Sequence, residues 1–223
     1  MSLRTPLTEF YSLSTIPQAL QWRLQGSHDA VVESWVRILA IRDKESERHN
    51  QRVTSLMVRL ARHVVMNEEE TLYAKWGAQL HDIGKIAVPD EILHKCGPLN
   101  VEEWVEIRRH PAIAYEMLAP IKFLGPAIDI AYCHHEKWDG TGYPRGLRGS
   151  FIPYAARLFA VIDVYDALCS DRSYREGWPE HLVRDYLGQQ AGTHFEPRAV
   201  EAFLEMLEAG RLLPETNSSF AFA

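Results

Sequence analysis

The chain has 223 residues, which is enough for one domain with a sizeable core, and its 46% hydrophobic and 24% charged residues are ordinary for a globular protein. The net charge of -6 argues against a broad basic face of the kind that binds duplex nucleic acid. No apolar run has the length of a signal peptide or a membrane span, and the three cysteines form no CxxC pair. We therefore expect a cytoplasmic protein with reduced thiols and no membrane span.

Apolar residues recur at helical spacing along most of the chain, while strand-like alternation is scarce. The predicted fold class is all-α, a multi-helix bundle. We expect a helical lead-in over residues 1–29, one domain over residues 30–210 and a frayed tail over residues 211–223. Three apolar stripes indicate helices: Trp35, Ile38 and Leu39; Val53, Leu56, Leu60 and Val64; and Val200, Phe203, Leu204 and Leu207.

Two local signals indicate where helices start in the middle of the chain. Asn100 followed by Glu103 has the spacing of a capping box, which predicts a helix over VEEWVEIRR. Pro111 suits the first turn of the helix that follows. The stretches HKCGPLN and DGTGYPRGLRGS are rich in turn residues and predict loops.

Histidines and acids lie in short groups near the ends of predicted helices. Glu45 and His49 are four residues apart and share one helix face, although a solvated pair is commoner at this spacing than a metal site. An HD dipeptide ends the helical run TLYAKWGAQL, and further histidines lie before and after the segment FLGPAIDIAYC. These residues are His81, Asp82, His110, His134 and His135.

Asp163 interrupts the apolar run ARLFAVIDVYDAL, where its helical neighbours are apolar. A buried carboxylate is costly unless a cation or a strong donor pairs with it, so Asp163 is either a metal ligand or part of a helix–helix hydrogen bond. Asp166 is either a partner of a ligand or an ordinary polar residue. A mixed set of imidazoles and carboxylates suits iron, manganese or zinc better than magnesium or calcium.

Taken in order, the motifs resemble those of the HD-GYP family, the branch of the HD phosphohydrolase superfamily that includes cyclic di-GMP hydrolases. They are RDKESERH, LHDIGKIAVPDEIL, RRHP, HHEKWDGTGYP, DVYDALCSDRSYR and AGTHFEP, and the match runs from about Ala30 to Leu207. The resemblance implies a helical bundle of the HD-domain type whose core holds two or three divalent transition-metal ions, iron or manganese. The implied ligands are Glu45, His49, His81, Asp82, His110, His134, His135 and Asp163, with Glu45 indicating the third metal.

The resemblance also implies residues that contact the substrate. Lys85 resembles the family's phosphate-contacting lysine, and Tyr143 is implied to point inward, with a packed loop aromatic as the alternative. Arg172 and Arg175 resemble the residues that hold the substrate's phosphates, although one of them could instead cap a helix. The implied catalytic residues are His81, Asp82 and Lys85.

These features predict a metal-dependent phosphodiesterase that hydrolyses cyclic di-GMP to pGpG, with GMP as a further product. One alternative is an HD hydrolase that acts on another cyclic dinucleotide or on a nucleotide. The other is a module without catalysis that binds a cyclic dinucleotide or docks a partner such as a GGDEF-type synthase. Missing metal ligands would indicate that module, and none of the implied ligands is missing.

Overall fold

The computed structural model describes residues 18–42, 44–171 and 176–212, with side chains described from residue 23 and outside residues 44–46, 211 and 212. Short 3-10 helices at Ile83–Ala87, Lys122–Ala127 and Gly149–Phe151 join the α-helices. The described residues form no strand beyond an isolated bridge between Ala191 and Phe195, which confirms the all-α prediction. The α-helices are α1 Gln18–Arg42, α2 Lys44–His63, α3 Glu68–Leu80, α4 Asp90–Leu93, α5 Val101–Ile107, α6 His110–Leu118, α7 Ile128–Cys133, α8 Tyr154–Cys169, α9 Glu180–Gln189 and α10 Pro197–Leu212.

The two larger of the three hydrophobic clusters in the described residues both include residues of α3. Its residues Ala74 and Ala78 belong to the larger cluster, which α2, α8 and α10 also build. Its residues Trp76 and Leu80 belong to the second cluster, with α1 and α6. The end of α3 therefore lies between two packed layers, which fixes the position of whatever follows Leu80.

The predicted apolar stripes of α2 and α10 lie in the larger cluster. Val53 and Leu60 of α2 and Phe203 of α10 are fully buried. The stripe predicted on α1 is wrong at Ile38, which is 47% exposed, whereas Leu39 is buried. The error arises because α1 packs on the bundle along one narrow edge, and helical spacing alone does not fix which edge.

The predicted helix starts are confirmed. Asn100 and Glu103 form a capping box at the start of α5, with each backbone N–H donating to the other side chain at 2.8 Å. Pro111 lies in the first turn of α6. A second capping box, Asn67 with Glu70, starts α3 and was not part of the prediction.

The division of the chain into lead-in, domain and tail stays a prediction. Helix α1 runs without a break across the expected boundary between residues 29 and 30. In the part of the chain that the structure describes, no helix is long and apolar enough to cross a membrane.

Candidate active site

The HD dipeptide lies where α3 ends and the backbone turns. His81 caps α3, and Asp82 precedes the short 3-10 helix Ile83–Ala87. Gly84 permits a close approach here, because a Cβ atom at this position would lie 1.9 Å from the carbonyl oxygen of His110. Only glycine therefore allows the start of α6 to pack against the HD turn, which brings His110 to Asp82.

Three of the expected ligands form a first group, which we call the α2 group: His49, His81 and Asp163. The Nε2 atom of His49 lies 3.3 Å from His81 Nε2 and 3.2 Å from Asp163 Oδ1. One potential ligand atom from each residue lies within 4.8 Å of the others. Residues from α2, α3 and α8 thus converge on a volume suited to one cation.

Three further histidines form a second group, the α6 group: His110, His134 and His135. His110 begins α6, while His134 and His135 follow the end of α7. The Nε2 atoms of His110 and His134 lie 3.3 Å apart, and the rings of His134 and His135 have centroids 4.0 Å apart. The structure therefore brings the two adjacent histidines and the distant His110 together, as the sequence predicts.

Asp82 lies between the two groups and contacts both. Its Oδ2 atom is 3.2 Å from His81 Nε2, and its Oδ1 atom is 3.4 Å from His110 Nε2 and 4.0 Å from His134 Nε2. Burial alone would raise the pKa of Asp82, but the neighbouring charge of Lys85 is the largest of the effects that oppose burial and hold the pKa well below its usual range. One ionised carboxylate thus presents an oxygen to each group.

The histidines are oriented by hydrogen bonds made with their outward-facing Nδ1 atoms. Such a bond to a carbonyl oxygen fixes the tautomer, so that Nδ1 carries the proton and the Nε2 lone pair faces the site. The carbonyl oxygens that accept these bonds lie three or four residues earlier in the chain. The bonds are His81 to Ala78 at 2.8 Å, His110 to Ile107 at 2.7 Å and His134 to Ile130 at 3.1 Å.

His49 is oriented by a carboxylate instead of a carbonyl. Its Nδ1 atom lies 2.7 Å from Oδ2 of Asp166, which is one turn beyond Asp163 on α8. Arg52 in turn donates to both oxygens of Asp166, at 2.5 and 2.8 Å. Of the two expectations for Asp166, the geometry favours the partner of a ligand.

The charges differ between the two groups. Burial lowers the pKa of His110 to about 4 and that of His135 to about 3, so both rings are neutral at pH 7. Burial also disfavours a charged His49, but hydrogen bonds to Asp163 and Asp166 outweigh it and raise its pKa to about 9. His49 therefore has to lose a proton before it can ligate a metal through Nε2.

The donor set fits divalent metal ions. His110 and His134 are neutral rings that both use Nδ1 as the donor, so two Nε2 lone pairs face each other at 3.3 Å. A bound cation would offset this repulsion. The residues that would hold metals are the α2 group on one side and the α6 group on the other, with Asp82 shared. Nitrogen and oxygen ligands in this mixture suit first-row transition metals.

Lys85 and Tyr143 lie beside the two groups. The Nζ atom of Lys85 is 2.6 Å from Asp82 Oδ2. The ring of Tyr143 stacks on that of His135 at a centroid distance of 4.7 Å, and burial raises the pKa of the phenol, which stays protonated. The Glu45 side chain, Arg172 and Arg175 lie outside the described residues.

The loop that carries Tyr143 is held by Glu136, which sequence reasoning missed. Its buried carboxylate accepts hydrogen bonds from the backbone N–H groups of Arg145, at 2.8 Å, and Leu147, at 2.9 Å. Gly142 is needed for close approach, since a Cβ atom there would lie 2.3 Å from the backbone nitrogen of Lys137. The Tyr143–Pro144 peptide bond is cis. The sequence signal that could have identified Glu136 is its position directly after two candidate ligands, His134 and His135.

Replacing Glu136 with glutamine should loosen this loop. The amide NH₂ group faces two backbone N–H donors, so one of them loses its acceptor, at a cost of about 1–3 kcal/mol. We expect a higher KM and a lower melting temperature with unchanged metal content. The exposed acid Glu116 provides the control, because Glu116→Gln should change neither quantity. Wild-type KM and melting in Glu136→Gln would contradict this role.

An open cavity of about 1580 Å³ leads to the two groups. Its lining holds six arginines and lysines beside five carboxylates, of which Asp82 and Asp163 are candidate ligands. Sequence reasoning missed Arg52 and Arg108 among its lining residues, and it gave no role to His194, which lies in the AGTHFEP motif. Of these three, only Arg52 shares a helix with a predicted ligand. The basic residues that line the cavity are Arg37, Arg48, Arg52, Lys85, Arg108 and Lys137.

A family model described as an HD domain matches residues 33–199. The chain therefore belongs to the HD domain family. The match covers all the described candidate ligands, and it confirms the resemblance drawn from the motifs.

Curated relatives extend this likeness. The chain is 40% identical over 184 residues to the 3'3'-cGAMP-specific phosphodiesterase 2 of Vibrio cholerae, covering 82% of this chain and 35% of the relative. It is 41% identical over 195 residues to the cyclic di-GMP phosphodiesterase response regulator RpfG of Xanthomonas campestris, covering 83% of this chain and 52% of the relative. The chain thus spans between a third and about half of the length of these two relatives.

Solved structures show the same fold. A cyclic GMP-AMP phosphodiesterase of V. cholerae, V-cGAP3, superposes with a TM-score of 0.63 at 15% identity, over 81% of this chain and 49% of the other. The HD-GYP protein Bd1817 of Bdellovibrio bacteriovorus gives a TM-score of 0.59 at 19% identity, over 82% of this chain and 64% of the other.

Proposed function

We propose that this chain is a metal-dependent phosphodiesterase that hydrolyses cyclic di-GMP to pGpG, with GMP as a further product. The observation that carries the proposal is the position of Asp82, whose two oxygens face two separate groups of ligands. The cavity beside these groups has room for a cyclic dinucleotide, and six arginines and lysines lie in its lining alongside the carboxylates. Relatives with about 40% identity are named for hydrolysis of cyclic di-GMP or 3'3'-cGAMP.

Divalent metals, iron or manganese in this proposal, would supply a nucleophilic water at neutral pH and offset charge on the phosphoryl group. The chain's own residues position the diester. Lys85 places a positive charge beside Asp82, where the phosphate would lie. Tyr143 keeps its hydroxyl proton, because burial raises its pKa, and the O–H group can donate a hydrogen bond to a phosphate or ribose oxygen. Phosphoryl transfer requires mainly positioning and charge stabilisation, which these groups provide.

The direct test is hydrolysis of a panel of cyclic dinucleotides by protein loaded with Mn²⁺, or with Fe²⁺ under anaerobic conditions. We expect cyclic di-GMP to be converted to pGpG, and a chelator to abolish the reaction. Elemental analysis of the same samples gives the metal count. A fully loaded protein that hydrolyses no member of the panel would contradict the proposal.

A second candidate substrate is 3'3'-cGAMP, because the V. cholerae relative with 40% identity is named for it. The ratio of kcat/KM values for cyclic di-GMP and 3'3'-cGAMP decides between them.

Three further points belong to the same proposal. The catalytic domain is residues 30–210, the location is cytoplasmic, and a GGDEF-type synthase is a candidate partner.

The number of metals depends on Glu45 in this proposal. Glu45 and His49 lie four residues apart on α2. Glu45→Gln keeps the shape of the side chain but replaces a charged ligand with a much weaker neutral one. We expect the variant to lose about one metal per chain, to keep the other two and to turn over more slowly. Glu33→Gln, on the exposed face of α1, is the control. Equal metal counts in wild type and Glu45→Gln would leave a two-metal centre.

Arg172 and Arg175 are proposed to hold the phosphates of the substrate. Arg172→Ala should raise KM by the equivalent of about 1.5–3 kcal/mol, the worth of a hydrogen bond to a charged group, with unchanged metal content. The exposed Arg198 gives a matched control, since Arg198→Ala should leave KM as it is. If Arg172→Ala loses metal and keeps its KM, the residue supports the metal site instead.

A further inference from the structure

A row of planar groups runs from the α6 group to the surface of the cavity. Tyr143 stacks on His135. The guanidinium carbon of Arg108 lies 5.1 Å from the centroid of the Tyr143 ring and 5.5 Å from that of Trp104, both within cation–π distance. Trp104 is four residues before Arg108, so the two share one face of α5, and 49% of Trp104 is exposed.

Arg108 is exposed and lines the cavity. In the residues that the structure describes, no carboxylate lies within salt-bridge distance of it, whereas the adjacent Arg109 pairs with Glu106 at 3.0 Å. A guanidinium that stacks on aromatic rings still directs its N–H groups outward in its own plane. The same cavity lining that includes Trp104 and Arg108 includes Lys85, Tyr143 and the histidines of the α6 group.

The exposed apolar neighbours of Trp104 on α5 do not line the cavity. Val101 is 74% exposed and Val105 is 62% exposed, yet neither lines the cavity. Trp104 is therefore the exposed apolar side chain of α5 that faces the cavity. An exposed indole beside an arginine that pairs with no carboxylate among the described residues is a combination suited to nucleobases, by stacking and by hydrogen bonds to a base edge.

We propose that Trp104 and Arg108 form a purine-base subsite of this cavity, with the indole stacked on the base and the guanidinium donating to O6 and N7 of guanine. This inference rests on the proposed function and deepens it. Adenine presents a donor, its 6-amino group, where guanine presents the O6 acceptor, so Arg108 favours guanine. The subsite lies along the row of planar groups that starts at His135. A base bound there would lie next to the position that we propose for the phosphate, beside Lys85.

Steady-state kinetics with cyclic di-GMP and cyclic di-AMP test the subsite. Trp104→Ala should raise KM for cyclic di-GMP about tenfold to a hundredfold, the range expected for loss of one stacked base, and Trp104→Phe should restore most of it. The small diester bis(p-nitrophenyl) phosphate carries no purine, so its hydrolysis should fall far less. Arg108→Ala should reduce the preference for cyclic di-GMP over cyclic di-AMP about tenfold or more. Val105→Ala and Arg109→Ala are the matched controls on the same segment.

A binding measurement provides a readout that does not depend on turnover. A phosphorothioate analogue of cyclic di-GMP resists hydrolysis, and its base should quench tryptophan fluorescence when it stacks on Trp104. We expect the quench in wild type and in Val105→Ala, and its loss in Trp104→Phe. If wild type hydrolyses cyclic di-GMP but Trp104→Ala and Arg108→Ala keep wild-type KM and base preference, the subsite is wrong while the proposed function stands. If wild type hydrolyses no cyclic dinucleotide, both are overturned.

Discussion

Asp82→Ala is expected to abolish hydrolysis and to empty both ligand groups of metal, while the helical fold is kept. The reason is geometric: Asp82 is the described residue whose oxygens approach both His81 and His110. Without it, each group keeps only its own three ligands, and Lys85 loses the carboxylate that it contacts at 2.6 Å. Elemental analysis, circular dichroism and turnover of cyclic di-GMP measure the three expected results. Near-normal turnover with bound metal would contradict the bridging role.

Asp166→Asn provides a graded comparison for Asp82→Ala. Asp166 contacts His49 from outside the site at 2.7 Å and reaches only the α2 group. Loss of such an outer partner costs a metal site roughly 10–100-fold in affinity or activity. We therefore expect Asp166→Asn to be impaired but active, with the α6 group still loaded. If both variants fail equally, Asp82 has no special place between the groups.

The sequence predicted those site residues that lie in recognisable motifs. It did not predict ring orientations or contacts between helices, because these depend on tertiary packing. Asp163 was identified because a charged residue inside an apolar helical run requires a partner. His81 and Asp82 were identified by the resemblance of the HD dipeptide and its neighbours to a family motif. The rotation of each ring was not predictable, since it depends on which carbonyl or carboxylate lies behind it. Asp166 illustrates the limit: the sequence leaves two roles open, and contact with His49 across two helices favours one of them.

Two residues that sequence reasoning missed, Trp104 and Arg108, come from a part of the chain that holds none of the predicted ligands. Trp104 lies in α5 and Arg108 directly follows it, and the start of this helix was predicted correctly from Asn100 and Glu103. Nothing in that stretch indicates that it packs beside Tyr143, which is 35 residues further along the chain than Arg108. The contact arises because α6 links α5 to the HD turn, so the position of α5 is a consequence of tertiary packing. Helical spacing likewise placed Ile38 on a buried stripe, and it is exposed.

Gly84→Ala is expected to have an effect comparable to loss of a ligand, although Gly84 contributes no side chain. A Cβ atom there would lie 1.9 Å from the carbonyl oxygen of His110 and 2.8 Å from the backbone nitrogen of Ala114. Both contacts are backbone atoms in α6, so relief requires the helix to move away from the HD turn. Overpacking of a core costs typically about 1–3 kcal/mol, and we expect at least the upper end of that range here. We further expect loss of metal from the α6 group, because His110 moves with the helix.

Gly188→Ala is the matched control for this prediction. Gly188 lies in α9, and a Cβ atom there would meet no atom within 4 Å. Alanine should therefore stabilise that helix slightly, by about 0.5–1 kcal/mol, without affecting the site. Gly84→Ala should lower the melting temperature, the metal content and turnover. Gly188→Ala should raise the melting temperature slightly and leave the metal content and turnover unchanged. If Gly84→Ala matches the wild type in melting temperature and metal content, the HD turn and α6 are not held together by this close approach, and His110 reaches Asp82 by another route.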